Sequence, residues 1–276
     1  MDEASAIVER LWPGEKALVE RLGGGITNHN FKVTVGDEAF VLRVGGKDTD
    51  LLGIDRGNEH DATLVAASLG IGPEVVSFVD GCLVTRFIEG RPVPPEELDP
   101  ATVGATIRTI HDGPAIPGRF DSFRVVETYR NTAEAHGVSI PPAYEEASKR
   151  AAAIEGTRAG VSLRPCHNDL LSANFLHDGA RLRIVDWEYA GMGDPLFDLG
   201  NFAANHELEE DGERALLTGY IAKNDSENHS QIDTLRDMRF MSDFREAMWG
   251  VVQQGISELD FDFAGYAEQH FERALR

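Results

Sequence analysis

One short segment carries the residue types that phosphoryl transfer needs. In the segment His167–Asn174, Asp169 stands five residues before Asn174, and Asp186 follows twelve residues later at the end of an apolar run. A carboxylate can hold the hydroxyl that attacks a phosphoryl group, and carboxylate and amide oxygens can bind the Mg²⁺ that accompanies ATP. Any one of these residues alone is more typical of a helix cap or a polar surface. Their order favours Asp169 as the catalytic residue and Asn174 and Asp186 as metal ligands.

A glycine-rich segment near the start of the chain is suited to cover phosphate groups. Gly23–Gly25 precede Thr27 and Asn28, whose side chains can donate hydrogen bonds to phosphate oxygens. Glycine lets the backbone approach a ligand closely. The segment lacks the spacing G-x-G-x-x-G, so by itself it is a weak signal.

A basic residue and a carboxylate in the first ninety residues are candidates to hold ATP. Arg43 lies in an alternating run over 39–44, and Glu59 lies in a helical pattern over 56–69. An arginine that faces phosphates needs a carboxylate to fix its guanidinium. We therefore predict that Arg43 and Glu59 are paired, the alternatives being a surface arginine and a solvated glutamate.

The elements that must position these residues change in character near residue 90. Alternating runs predict strands over 17–22, 31–35, 39–44, 74–79 and 82–87, and the proline-rich stretch 91–95 is predicted to be a connector. Helical periodicity predicts helices over 101–111, 123–136, 142–156 and most of 212–276, with a small strand pair near 174–176 and 182–186. The predicted fold class is α+β, with a β-rich amino-terminal lobe of residues 1–90 and a larger α-rich lobe of residues 91–276.

Taken together, the motifs resemble a known family. Gly-Gly-Gly-Ile-Thr-Asn-His-Asn-Phe-Lys-Val and Ala-Phe-Val-Leu-Arg-Val are similar to the first lobe of the choline kinase branch of the aminoglycoside-phosphotransferase-like kinases. Cys-His-Asn-Asp-Leu-Leu-Ser-Ala-Asn and Asp-Trp-Glu-Tyr-Ala-Gly resemble its second lobe. The resemblance implies a bilobal protein-kinase-like fold and an enzyme that uses ATP and Mg²⁺ to phosphorylate a small amino alcohol, with choline as the first candidate.

The resemblance also implies a role for each residue of the predicted site. Asp169 would orient the acceptor hydroxyl, and Asn174 and Asp186 would bind Mg²⁺. The nucleotide-binding residues would be Thr27, Asn28, Arg43, Glu59, Arg86 and Ile88. The acceptor-binding residues would be Glu188, Tyr189, Trp249, Phe261 and Tyr266, although Glu188 could instead orient a second ion. Asp198 would brace the catalytic loop from behind.

The aromatic residues near the carboxyl end bear on the acceptor. A quaternary ammonium ion donates no conventional hydrogen bond, so its site must use aromatic faces and negative charge. On a helical wheel of about 100° per residue, Phe240, Phe244 and Val251 form an apolar stripe, and Trp249 falls on the opposite, polar face. We therefore expect Trp249 outside the core and available to a cation, the alternatives being a surface position or packing on another helix.

Composition limits the classes of partner. The 47 acidic residues against 26 lysines and arginines give a net charge of −21, which argues against nucleic acid and anionic membranes as partners. This charge permits a cationic substrate, the alternative being only a soluble, acidic surface. No uncharged run is long enough to span a membrane, and the first residues do not resemble a secretory signal, so a cytoplasmic location is predicted. Kinases for ethanolamine or an aminoglycoside, a non-catalytic nucleotide-binding module and a homodimer stay open.

Overall fold

The computed structural model describes residues 3–23, 28–221 and 229–276. The first part of the chain is a five-stranded antiparallel sheet with two helices. Its elements are α1 (Glu3–Leu11), β1 (Ala17–Arg21), β2 (Asn28–Val35), β3 (Glu38–Gly45), α2 (Arg56–Ser68), β4 (Val75–Val79) and β5 (Cys82–Arg86). The strands lie in the order β1-β2-β3-β5-β4. The five strands confirm the predicted β-rich first part.

Strand β3 shows how the sequence alternation positions a functional side chain. Phe40, Leu42 and Val44 are buried at every second position, in a core that also contains Ile7 of α1. Since successive side chains of a strand point to opposite faces, Arg43 lies on the other face of the sheet. A tight turn through Gly36 (φ +59°) joins β2 to β3 and sets their register.

Helix α1 was not predicted, although its sequence carries a helical signal. Ala4, Ile7, Val8 and Leu11 follow the i, i+3, i+4, i+7 spacing, and the first three are buried against the sheet. The helix has only nine residues, so its amphipathic pattern is a weak signal in the sequence.

The connector after the sheet takes part in a second, small sheet. Arg91–Pro92 form strand β6, which pairs with the strand Phe175–His177 described below. The prediction that this proline-rich stretch is only a connector is therefore wrong. Strand β6 is an edge strand, where a proline can be accommodated because its missing N–H leaves no ladder partner unpaired.

The rest of the described chain is mainly helical, as predicted. Its elements are α3 (Pro100–His111), α4 (Ser122–Ala135), α5 (Ala143–Thr157), β7 (Arg164–Cys166), β8 (Phe175–His177), β9 (Leu182–Ile184), β10 (Gly191–Gly193), α6 (Pro195–Asn205), α7 (Glu210–Tyr220), α8 (His229–Ile256) and α9 (Phe263–Ala274). Helix α6 was missed, although Asp194 caps it and Pro195 stands at its first position. Within the described ranges, no helix is both long and apolar enough to cross a membrane.

The middle of helix α8 is buried on all sides, which corrects the expectation for Trp249. Its polar face, with Ser242, Arg245, Glu246 and Gln253, is as buried as its apolar stripe. Helices α4, α6 and α9 pack around α8, so no face of this segment meets solvent. Trp249 is only 8% exposed and belongs to the core of the second part of the chain. A helical wheel separates polar from apolar faces, but it does not show what lies opposite each face.

Candidate active site

The loop that carries Asp169 is held from behind by helix α6. Asp198 accepts hydrogen bonds from the backbone N–H groups of His167 (2.8 Å) and Asn168 (2.6 Å), and His111 contacts the same carboxylate at 3.0 Å. Asn201 accepts a further bond from the N–H of Leu170. Opposed by burial, these contacts lower the pKa of Asp198, so that it stays ionised. The structure bears out the bracing role expected of Asp198.

Both predicted metal ligands line the same cleft. Asn174 uses its amide N–H to bind the backbone carbonyl of Asp169 at 2.8 Å, so its amide oxygen is the atom that can meet an ion. Asp186 follows β9 with a positive φ of 71°, and it also lines the cleft. One carboxylate and one amide oxygen form a hard oxygen donor set, which fits Mg²⁺.

The cleft has a volume of about 370 Å³ and lies between the five-stranded sheet and the loops after β7 and β9. Apolar side chains, among them Val41, Leu83 and Leu176, form walls that suit a flat base. Arg86 and Ile88 line the cleft as well. The guanidinium of Arg86, however, pairs with Glu38 at the surface of the sheet.

Arg43 reaches its predicted partner Glu59 at the floor of this cleft, and it also reaches Asp186, which was not predicted as its partner. Its Nη1 lies 3.0 Å from Oε1 of Glu59 and 2.5 Å from Oδ1 of Asp186. Burial alone would lower the pKa of Arg43, but Asp186 and Glu59, together with Glu188, raise it. The guanidinium is therefore a positive charge that Glu59 and Asp186 hold in the cleft.

A second arginine, which the sequence interpretation missed, joins the same network. Arg56 donates from Nη1 to Oε2 of Glu59 (2.7 Å) and to Oε2 of Glu188 (3.1 Å), and from Nη2 to Asn28 (2.8 Å). Asn28 in turn donates to Glu188 at 2.8 Å. The signal was available, because Arg56 stands one turn before Glu59 in helix α2.

This network decides where two further predicted residues lie. Glu188 faces Asn28 and Arg56, on the nucleotide side of the site. Its burial, with Asp186 close by, raises its pKa above the usual range. The side-chain amide of Asn28 is bound to Glu188 and Arg56. Thr27 lies outside the described residues.

Asp169 meets a charged pair from helix α8 that was not predicted as functional. Nη1 and Nη2 of Arg245 lie 3.3 Å and 3.4 Å from Oδ1 of Asp169, and Nη1 also binds the neighbouring Glu246. Burial raises the pKa of Asp169 to about 7, with Arg245 acting against this and Glu246 adding to it. The two adjacent charges are visible in the sequence, but their burial is not, so the sequence carried no signal for this role.

The predicted acceptor residues fall into two groups. The ring of Tyr266 lies 5.6 Å from the ring of Trp249 and 6.0 Å from the ring of Phe261. The side chain of Phe261 is 46% exposed. We call Trp249, Phe261 and Tyr266 the aromatic cluster. The hydroxyl of Tyr266 donates to Oε2 of Glu246 at 2.7 Å. Tyr189 packs against the same core and has the Arg245 guanidinium over its ring at 4.7 Å.

Comparison with known proteins agrees with this geometry. Residues 18–239 match the Phosphotransferase enzyme family. A choline/ethanolamine kinase family protein from Mesorhizobium loti is 30% identical to this chain and superposes with a TM-score of 0.82. The match covers 99% of this chain and 93% of the Mesorhizobium loti chain. The chain belongs to the choline/ethanolamine kinase family of phosphotransferases. The resemblance found in the sequence is confirmed, and so is the protein-kinase-like fold of this kinase.

Two curated relatives show how widely this kinase family is spread. Protein LicA of Haemophilus influenzae is 25% identical over 268 residues, which cover 92% of this chain and 78% of the relative. Ethanolamine kinase 2 of Homo sapiens is 26% identical over 301 residues, which cover 96% of this chain and 77% of the relative. The similarity to this kinase therefore extends over both parts of the fold.

Proposed function

We propose that this kinase transfers the γ-phosphoryl group of ATP to the hydroxyl of a small amino alcohol, with choline as the first candidate. One observation carries the proposal. Asp169 lies between the Asn174–Asp186 pair, which suits a metal–nucleotide complex, and a buried chain of contacts that leads to aromatic rings. A phosphotransferase for a cationic alcohol needs these three parts in this order.

The nucleotide side would hold ATP with Mg²⁺. Asn174 and Asp186 would hold the ion, which neutralises phosphate charge when it is bound. Arg43, fixed by Glu59, would contact the phosphates from the sheet. Apolar residues of the cleft would enclose the base, next to Ile88. Thr27 and Asn28 stay predicted to contribute to the cover of the phosphates.

Asp169 would hold the acceptor hydroxyl and take its proton. Its pKa of about 7 keeps a substantial ionised fraction near neutral pH, which a group that accepts a proton needs. The carboxylate is buried, so water competes weakly for the transferred group. The hydroxyl is thereby oriented toward the γ-phosphorus, and positioning supplies much of the rate in such reactions.

The aromatic cluster and Glu246 would receive the ammonium group. Aromatic faces attract a quaternary ammonium ion, and a buried carboxylate adds negative potential. Ethanolamine is the second candidate, because the Glu246–Tyr266 pair offers oxygen atoms to which a primary ammonium can donate. Tyr189 is proposed to contribute indirectly, since its ring already carries Arg245.

A kinase assay with choline, ethanolamine and kanamycin, with and without Mg²⁺, tests the proposal. We expect Mg²⁺-dependent ADP release that requires choline or ethanolamine, and none with kanamycin. Asp186→Ala is expected to shift the Mg²⁺ titration to higher concentration and to lower thermal stability, because it also removes an ion-pair partner of Arg43. ADP release only with kanamycin would favour an aminoglycoside kinase, and none with any acceptor would favour a nucleotide-binding module. The cytoplasmic location and the homodimer stay predictions.

A further inference from the structure

A buried arginine on helix α8 binds both the backbone and the side chain of the catalytic loop. Arg245 is 1% exposed, and its Nη2 donates to the carbonyl of Asn168 at 3.3 Å. Nη1 and Nη2 together reach a single oxygen, Oδ1 of Asp169. Within the described residues, no hydrogen bond to Oδ2 of Asp169 accompanies these contacts. The arginine therefore distinguishes the two oxygens of the carboxylate.

Other contacts keep the guanidinium in one orientation. The guanidinium carbon lies 4.7 Å from the ring centre of Tyr189, so its plane has an aromatic neighbour. Nη1 also binds Oε1 of Glu246, which neutralises part of the charge. A buried charge needs such partners, because its removal from water is otherwise unfavourable. Arg245 thus has hydrogen-bonding, ionic and aromatic partners.

The same arginine connects the catalytic carboxylate to the acceptor side. Oε1 of Glu246 binds Arg245, and Oε2 of Glu246 accepts the hydroxyl hydrogen of Tyr266 at 2.7 Å. Tyr266 belongs to the aromatic cluster. We call the contacts from Asp169 through Arg245 and Glu246 to Tyr266 the buried chain. It runs without a break from the carboxylate of Asp169 to the aromatic cluster.

We propose that Arg245 is a positioning residue of this kinase. It holds Oδ1 of Asp169 so that Oδ2 is the oxygen that receives the acceptor hydroxyl. Through Glu246 and Tyr266, it also sets the length of the acceptor that fits between Asp169 and the aromatic cluster. The inference rests on the proposed function, because it assigns Asp169 and the aromatic cluster to one acceptor.

Steady-state kinetics of Arg245 variants test the role in catalysis. Misplacement of a reacting group by about 1 Å can cost about 10²-fold in rate. Arg245→Gln is therefore expected to lower kcat by about 10²-fold, with the KM for ATP changed less than about threefold. Arg245→Lys keeps the charge but loses the planar guanidinium, so it is expected to recover only part of the loss, with kcat roughly three- to tenfold below wild type.

Arg239 provides a matched control on the same helix. Its Nη1 donates to Oε1 of Glu213 at 2.8 Å, so Arg239→Gln also removes an ion-paired arginine of α8. This variant is expected to lose thermal stability and to keep the wild-type kcat. If Arg245→Gln behaved like Arg239→Gln, the role of Arg245 would be only structural and the inference would be overturned.

The preference for acceptors of different length is a measurement that a loss of stability does not change. Tyr266→Phe keeps the ring and removes the hydroxyl that ends the buried chain. We expect it to narrow the ratio of kcat/KM between two-carbon and three-carbon amino alcohols by at least about fivefold. An unchanged ratio would overturn the assignment of acceptor length to the chain.

Two further outcomes are separable. Should Arg245→Gln be unfolded by circular dichroism, Arg245→Lys and Tyr266→Phe carry the test, because each keeps the charge or the ring that packs there. Wild-type protein without activity on any amino alcohol would refute the proposed function. Active wild-type protein with an unchanged kcat in Arg245→Lys and an unchanged length ratio in Tyr266→Phe would refute only the inference on Arg245.

Discussion

Arg43 and Asp186 lie 143 residues apart in the sequence, and their side chains meet at 2.5 Å between Nη1 and Oδ1. One residue comes from the middle of strand β3, and the other follows strand β9. The contact therefore joins the sheet of the first lobe to the predicted metal-binding segment of the second. Both residues line the same cleft, so the contact lies inside it.

We predict that Arg43 and Glu59 act as one unit in binding ATP. Arg43→Ala is expected to raise the KM for ATP by roughly 10–100-fold, because a hydrogen-bonded charge contact contributes about 1.5–3 kcal/mol. Glu59→Ala should have a similar effect, since it releases Arg43 and Arg56 together. A double-mutant cycle measured by KM should show less than the sum of the two effects. Additive effects would mean that Glu59 does not orient Arg43.

We predict that activity rises with pH through the range where Asp169 ionises. Burial raises the pKa of Asp169 to about 7, so the carboxylate that accepts a proton is depleted below this pH. The kcat/KM for the acceptor should fall about tenfold per pH unit on the acid side and be level above about pH 8. Asp169→Asn should lower kcat by at least about 10²-fold with ATP binding preserved. A residual rate in Asp169→Asn with the wild-type pH profile would assign the acid limb to another group.

We predict that Trp249→Ala affects both stability and the acceptor. Because Trp249 is buried beside Phe263 and Tyr266, removal of its ring should cost about 3–5 kcal/mol of unfolding free energy. A cation–π contact contributes up to about 2 kcal/mol, so the KM for choline should rise by up to about 30-fold. Phe240→Ala removes a buried ring of the same helix and serves as the control. Equal KM values for choline in both variants would place Trp249 in the core alone.

We predict that His206 makes the fold sensitive to mild acid. Burial lowers the pKa of His206 to about 4, and its ring lies 4.0 Å from the Phe202 ring. The unfolded chain binds the proton near the usual histidine pKa of about 6.5, whereas the folded chain binds it only near 4. Stability from this residue is thus complete above about pH 6.5 and is lost as the pH falls toward 4.

The variant His206→Phe should keep the ring packing and remove this titration. Its Tm should fall less than that of wild type between about pH 6.5 and 4, with the two curves parallel above pH 7. Scanning calorimetry over this pH range measures the difference. Curves that stay parallel at all pH values would show that His206 does not titrate with folding.

Much of the nucleotide side was predictable because its signals are local. Asp169, Asn174 and Asp186 occur in a fixed order within eighteen residues of sequence, and the alternation of β3 places Arg43 on the face opposite Phe40, Leu42 and Val44. The alternation of a strand and the spacing of a motif depend only on residues that are close in sequence. They can therefore be recognised without the tertiary structure. The sequence by itself therefore determined the chemistry and the fold class.

The acceptor side was decided by tertiary structure. Arg245 and Asp169 are 76 residues apart, and no periodicity relates them. The wheel of α8 placed Trp249 on a polar face, yet it could not show that the catalytic loop and helix α9 cover that face and bury its charges. Polar residues can line a buried face when their partners come from other elements. Only the packing of α8 could bring Arg245, Glu246 and Tyr266 into one chain with Asp169.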